Sequence, residues 1–192
     1  MDCQRLGVKM FLGDPASLAV RDLIPVFHSW IQEKVIANHL LVDVHDYSHV
    51  HMGPGILLVA HEGNFSLDQA EGRPGLNYYR KQPIEGSLEN RLKAICRTTL
   101  IGCQLLEKNT AINGIRFKTD ELLLVVNDRL QAPNNEETFQ QIEPELSGFF
   151  RGLFNDNNVT LTHRIDAKER FAVEVTVSSH SGGIADLLER LS

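Results

Sequence analysis

Four of the eight histidines in this 192-residue chain fall between residues 45 and 61. They belong to the run Asp43-Val44-His45-Asp46-Tyr47-Ser48-His49-Val50-His51 and to the pair His61-Glu62. Imidazoles beside carboxylates are the donor set of zinc, iron and manganese sites, and an open coordination position there can take water or a substrate. The same groups can also move protons without a metal. Strand alternation puts Asp43 and His45 on one face, joined by Tyr47 if the strand runs on. If residues 47–54 connect this strand to the next, His61 comes back opposite Leu41 to Asp43. The expected site then has Asp43, His45 and His61 as its floor and His49 and His51 overhead. Glu62 can join only at a local break beside Gly63. The ligand-binding candidates are Asp43, His45, His49, His51, His61 and Glu62. His45, His49, His51 and His61 are the metal-ligand candidates, for a divalent ion such as zinc. The competing reading is a solvated histidine-rich turn, because Asp-Tyr-Ser is good turn chemistry at a strand end.

Other catalytic devices are missing from the sequence. It has no phosphate-binding Gly-x-x-x-x-Gly-Lys-Ser/Thr loop, no Gly-x-Gly-x-x-Gly turn, no Gly-x-Ser-x-Gly elbow and no His-Glu-x-x-His helix. Ser179, His180 and Ser181 lie in a Gly-containing tail with no acid expected to be buried nearby in sequence and do not read as a serine nucleophile. Cys96 and Cys103 lie seven apart in an expected helix, roughly 10 Å along its axis, too far to bond. With Cys3 they make an odd number and no Cys-x-x-Cys pair, so a reduced, cytoplasmic protein is expected.

The elements that must hold the histidine cluster can be read from periodicity and punctuation. Val8–Leu12 reads as a first strand, stopped by Gly13-Asp14-Pro15. A helix from about Ala16 to Val35 follows, with Pro25 either marking its start near Asp22 or kinking it. Leu40–His45 and Gly55–His61 are the strands carrying the cluster. Asn64–Asp68 and Leu76–Lys81 form a hairpin across Glu71-Gly72-Arg73-Pro74-Gly75. Ser87 caps a helix to Lys108 with an apolar stripe through Leu88, Leu92, Ile95, Cys96, Thr99, Cys103 and Leu106. Ile115–Lys118 and Glu121–Val126 read as two strands, 136–154 as a helix containing Pro144, Val159–Ile165 and Arg170–Val177 as strands, and Ile184–Leu191 as a short helix.

This order predicts an α+β fold, a largely antiparallel sheet with helices mainly on one face. Ferredoxin-like β-α-β-β units recur at about 8–61 and 121–177, joined by the hairpin 64–81 and the helix 87–108, which suggests a pseudo-duplication. No linker divides the chain, so residues 1–192 are expected to form a single compact domain. The segments Asp46-Tyr47-Ser48-His49-Val50-His51-Met52-Gly53-Pro54-Gly55, His61-Glu62 and Gly72-Arg73-Pro74-Gly75-Leu76 resemble those of uncharacterised bacterial hypothetical proteins. Thr119-Asp120-Glu121-Leu122 and Asn127-Asp128-Arg129-Leu130-Gln131-Ala132-Pro133-Asn134 extend the resemblance, over about Val8 to Val177. It implies no activity, ligand or site residue.

Composition narrows the function classes. The net charge of −6 argues against a general nucleic-acid binder, and the longest apolar runs fall short of a bilayer span. Strands such as Leu122–Val126 and Ile56–Val59 are apolar on both faces, so the face away from the helices needs a second sheet, the inserted hairpin or another subunit to cover it. A homodimer is expected. Two functional readings stay open: a ligand- or metal-binding protein or enzyme using the 43–62 cluster, and a non-enzymatic module for self-association or partner binding.

Overall fold

The computed structural model describes residues 3–14, 18–112, 114–166, 168–178 and 182–192; Ser179, His180 and Ser181 lie outside them. Alternating apolar residues make eight strands: β1 (Leu6–Leu12), β2 (Leu41–Tyr47), β3 (Gly55–Ala60), β4 (Gly63–Asp68), β5 (Gly75–Arg80), β6 (Phe117–Val126), β7 (Val159–His163) and β8 (Phe171–Val177). Among the described residues four α-helices join them: α1 (Leu23–Glu33), α2 (Leu88–Glu107), α3 (Glu136–Phe154) and α4 (Ile184–Arg190). The strands form one open antiparallel sheet in the order β2-β3-β4-β5-β1-β6-β8-β7. The α+β class and the antiparallel sheet therefore match the expectation.

One face of the sheet is dry. Leu6, Val8, Met10 and Leu12 of β1 share it with Leu122, Leu124 and Val126 of β6 and with Phe171, Val173 and Val175 of β8, all buried. Helix residues from Trp30, Leu92 and Leu100 to Leu153 and Leu187 complete the same apolar cluster. Burying each such side chain is worth about 1.5–3 kcal/mol, so this layer holds the helices to the sheet. The stripe on α2 is buried at all seven expected positions, and the Ser87 hydroxyl accepts the Asn90 N–H at 3.2 Å. On α3 the Asn135 side-chain Oδ1 accepts the Thr138 N–H at 2.9 Å, and the helix continues past Pro144.

Several boundaries differ from the sequence reading. Of the two roles open to Pro25, the structure has the helix start: α1 begins at Leu23, after a 3-10 turn at Val20–Asp22, which puts Pro25 in its first turn, where its missing N–H costs nothing. The two expected strands at 115–126 are one, because the polar pair Thr119-Asp120 contains no breaker and stays extended. A register shift opposite Met10 and Leu12 absorbs the irregularity. The hairpin of β4 and β5 does not lie over the second face. It is inserted in the sheet between β3 and β1, so among the described residues that face has no helix or hairpin above it.

Candidate functional site

The uncovered face is built by the second set of alternating residues. Cross-strand register aligns His45, Leu57, Ser66, Asn77, Lys9, Leu123, Glu174 and Thr162 in one row across all eight strands. The neighbouring row runs Asp43, Val59, Asn64, Tyr79, Gly7, Val125 and Ala172. Lys9 and Ser66 are 5% and 6% exposed, burial that such polar residues reach only when something is built around them. Lys9 pairs with Asp68, whose carboxylate also accepts the Ala70 N–H at 3.1 Å. Gly75 makes this possible, since a Cβ there would stand 2.9 Å from the Lys9 Cε. The Asn77 Oδ1 is buried without a hydrogen-bond partner.

Two turns rise over this floor. In the β2–β3 turn, Asp46 accepts the Ser48 backbone N–H at 2.8 Å and its hydroxyl at 2.5 Å, and Arg21 pairs with it at 3.0 Å. The Ser48 bonds, chiefly, hold the Asp46 carboxyl below its ordinary value. Gly55 closes the turn at φ +67°, where a Cβ would stand 2.0 Å from the Leu67 carbonyl oxygen. The second turn, Ala70–Gly72, joins β4 to β5. Between the two turns lies a cleft of about 500 Å³, walled by Tyr47, His49, His51, Gln69 and Glu71. Met52, Gly53 and Ala70 also line a second cleft of about 330 Å³, which runs over Leu57, Asn64, Ser66, Asp68, Asn77 and Tyr79 to Arg170. The two form one groove.

Further along the same sheet face, charges are paired within the chain. The Arg73 guanidinium lies 4.0 Å from the centre of the Phe11 ring and binds Glu121, as well as Glu174 at 2.6 Å. Arg164 reaches Glu174 at 2.5 Å and Glu71 at 2.9 Å. Burial pushes the Glu174 carboxyl up, but hydrogen bonds from Arg164 and Arg73 outweigh it and hold the group below its ordinary value. Burial likewise works against the Arg73 cation, and its two carboxylate partners more than offset that.

The expected histidine site is divided by this geometry. Asp43 and His45 do share the uncovered face, with Nε2 3.6 Å from Oδ2, both side chains about half exposed. His49 and His51 stand at the groove wall. His61 returns opposite Leu40 rather than Leu41 to Asp43, donating its N–H to the Leu40 carbonyl at 2.9 Å, because a register shift between Leu41 and Asp43 moves it by one residue. That places it at the far end of β3 from the turn, about 20 Å away for six residues of strand. A turn stays at its own end of a hairpin and cannot roof the other, so the floor and roof separate. Among the described residues no group of three or more His, Cys, Asp or Glu side chains is placed to hold a metal ion, His45, His49, His51 and His61 included.

Glu62 belongs to a different corner. Its Oε2 accepts the Leu40 N–H at 2.8 Å, beside His39, in a cleft of about 510 Å³ that also includes Lys34 and Asn38. Burial raises the Glu62 carboxyl, and the Leu40 N–H, its own N–H and the nearby His39 and His61 more than reverse that. His39 Nδ1 lies 3.0 Å from the Ala37 carbonyl, which requires a proton on that nitrogen; Nε2 then accepts the Tyr78 hydroxyl at 2.7 Å. With both ring nitrogens engaged, His39 ties residues 37–40 to the sheet and offers no base to a substrate. Gly63 leaves room for this contact, since a Cβ there would stand 2.6 Å from the Tyr78 oxygen.

Sequence reasoning missed Lys9, Ser66, Asp68, Asn77, Tyr79 and Arg170. The only signal was faint: a lysine in the middle of the apolar run Val8–Leu12 and a serine between Phe65 and Leu67. Each reads equally as the solvent face of an ordinary strand. No protein-family model matches the chain, and no curated protein matches it either.

Proposed function

We propose that the chain is a small-molecule-binding module, and that its ligand lies in the groove on the uncovered face of the sheet rather than among the four histidines. The observation that carries this reading is the floor: a buried lysine–aspartate pair, a buried serine and an unpartnered Asn77 oxygen below a cleft of ligand size. A solvated sheet face has no need of such burial. The groove offers no base held against a nucleophile, so binding rather than catalysis is the function it supports. The reading keeps the protein in the cytoplasm, in keeping with three free, buried cysteines, and away from nucleic acid, in keeping with its negative charge. Among the described residues no helix is long and apolar enough to cross a membrane.

The test is a polar fragment library followed through backbone amide spectra of the protein and of Ala70→Trp, which fills both parts of the groove from a turn. Fragments should shift Leu57, Asn64, Ser66 and Asn77 in the native chain and not in the variant. Shifts confined to other surfaces, or unchanged in Ala70→Trp, refute the reading.

A second reading, self-association, has its own support. Of the seven large apolar side chains exposed among the described residues, Leu40, Val42, Tyr47, Val50 and Met52 lie along β2 and its flanks, and β2 is a free sheet edge. In this reading the partner is a second copy and the species in solution weighs twice 21.6 kDa. Light scattering at tens of micromolar that gives 21.6 kDa removes it. We also read the two β-α-β-β stretches as copies of one ferredoxin-like unit. The support is that in both halves the strand after the first helix, β2 or β7, takes an outer edge of the sheet.

A further inference from the structure

Resting on the groove reading above, we infer that the ligand is an uncharged polyhydroxylated molecule of the sugar class. The side chains that make the floor, Leu57, Asn64, Ser66, Asn77 and Tyr79, are uncharged, and the one carboxylate beside them, Asp68, is matched by Lys9. Further along the same sheet face Arg73 is matched by Glu121 and Glu174, and Arg164 by Glu71 and Glu174. Arg170 lines the cleft beside Tyr79, and His49 and His51 wall the adjoining one, so the salt and anion arms of the test below bear on these three.

What the floor leaves unmatched is neutral. The Ser66 hydroxyl makes no hydrogen bond in the described structure although the residue is 6% exposed, and Asn77 directly opposite it has the unpartnered oxygen. Asn64 spends its Oδ1 on the Ala60 N–H at 3.3 Å, which leaves its NH₂ group as a donor. Hydroxyl and amide groups standing side by side on adjacent strands, about 4.5–5.5 Å apart, give alternating donors and acceptors. Neighbouring hydroxyls of a sugar are each donor and acceptor at once, so they can satisfy both kinds of group. The Tyr79 ring, next to Asn64 in the register, supplies an aromatic surface for the ring's C–H face. The adjoining cleft between the turns gives room for a further residue of an oligosaccharide.

The experiment is a titration of the whole chain with glucose, galactose, mannose and N-acetylglucosamine, and separately with inorganic phosphate and citrate, read by amide chemical shifts at 50 and 500 mM NaCl. At least one sugar should shift Asn64, Ser66 and Asn77 saturably, with the same affinity at both salt concentrations. Asn77→Ala should weaken that binding at least tenfold, and Ser66→Ala serves as the second variant if Asn77→Ala does not give a folded spectrum. Groove shifts from phosphate or citrate alone, lost at high salt, overturn the sugar class and keep the groove as a binding site. Groove shifts from library fragments with none from any sugar do the same. No groove shifts from any compound overturn both this inference and the reading it rests on.

Discussion

Replacing Lys9 with Met keeps the aliphatic stem that passes over Gly75 and deletes only the ammonium. Asp68 then loses its counter-charge while its side chain is 13% exposed, and keeps only the Ala70 N–H and whatever water reaches it. Removing one partner of a buried pair costs about 3–5 kcal/mol, because the other charge is left desolvated and unmatched. The Ala70 bond and the residual exposure put Lys9→Met at the low end, about 3 kcal/mol. For a chain of this length that lowers Tm by about 6–12 °C. Adding Asp68→Asn removes the stranded charge, so the double variant should recover most of the loss, since a pair neutralised on both sides is nearly even with the ion pair. Urea titrations followed by the fluorescence of the single tryptophan, Trp30, and by circular dichroism measure all three variants. A Lys9→Met loss under about 1 kcal/mol, or a double variant as unstable as the two single losses added, refutes the view that the charge is buried and paired.

Leu92→Ala should cost about 2–5 kcal/mol, because the side chain is wholly buried on α2; a loss under 0.5 kcal/mol in the same titration would take the helix out of the core. The depressed Glu174 carboxyl contributes stability that is present above the ordinary glutamate range and is lost as pH falls through its lower folded value. Urea midpoints between about pH 5 and pH 2 should therefore fall less steeply in Glu174→Gln than in the native chain. Burial pushes the Cys96 thiol up to about 12, and Cys3 and Cys103 are equally buried, so a thiol reagent at pH 8 should label none of the three until the protein is unfolded. Gly55→Ala should prevent the native hairpin from closing, seen as lost amide protection in β2 and β3, since the Cβ would overlap the Leu67 carbonyl.

The elements were legible where one signal sufficed. Ser87 announces a helix because an N-cap is a local event, and the stripe on α2 follows from 3.6-residue spacing alone. The site was less legible because it depends on pairings between distant segments. The alternation that puts Asp43 with His45 is local and holds, whereas the register shift between Leu41 and Asp43, which sets His61 opposite Leu40, has no local signal. The distance between His61 and the turn follows from a strand length that the sequence also contained, and the roof over the floor neglected it. Lys9, Ser66 and Asn77 meet only through the strand order, and nothing short-range says that β5 lies between β4 and β1.

The position of β1 between β5 and β6 has a consequence for how the chain reaches this state. Gly7 pairs with Tyr79, and Leu6 with Val126, so a strand buried on both faces finds its second neighbour only when residues near 126 have been made. At about 5–20 residues per second of synthesis, that leaves Leu6–Leu12 without its β6 partner for roughly 6–24 s. Contacts this distant in sequence also slow refolding toward the millisecond-to-second range of sheet-rich proteins. Through that interval the strand is an apolar segment with free backbone groups, the kind of segment that chaperones hold and that neighbouring chains capture. The waiting time of this one strand is therefore an exposure that the stability of the finished sheet does nothing to shorten.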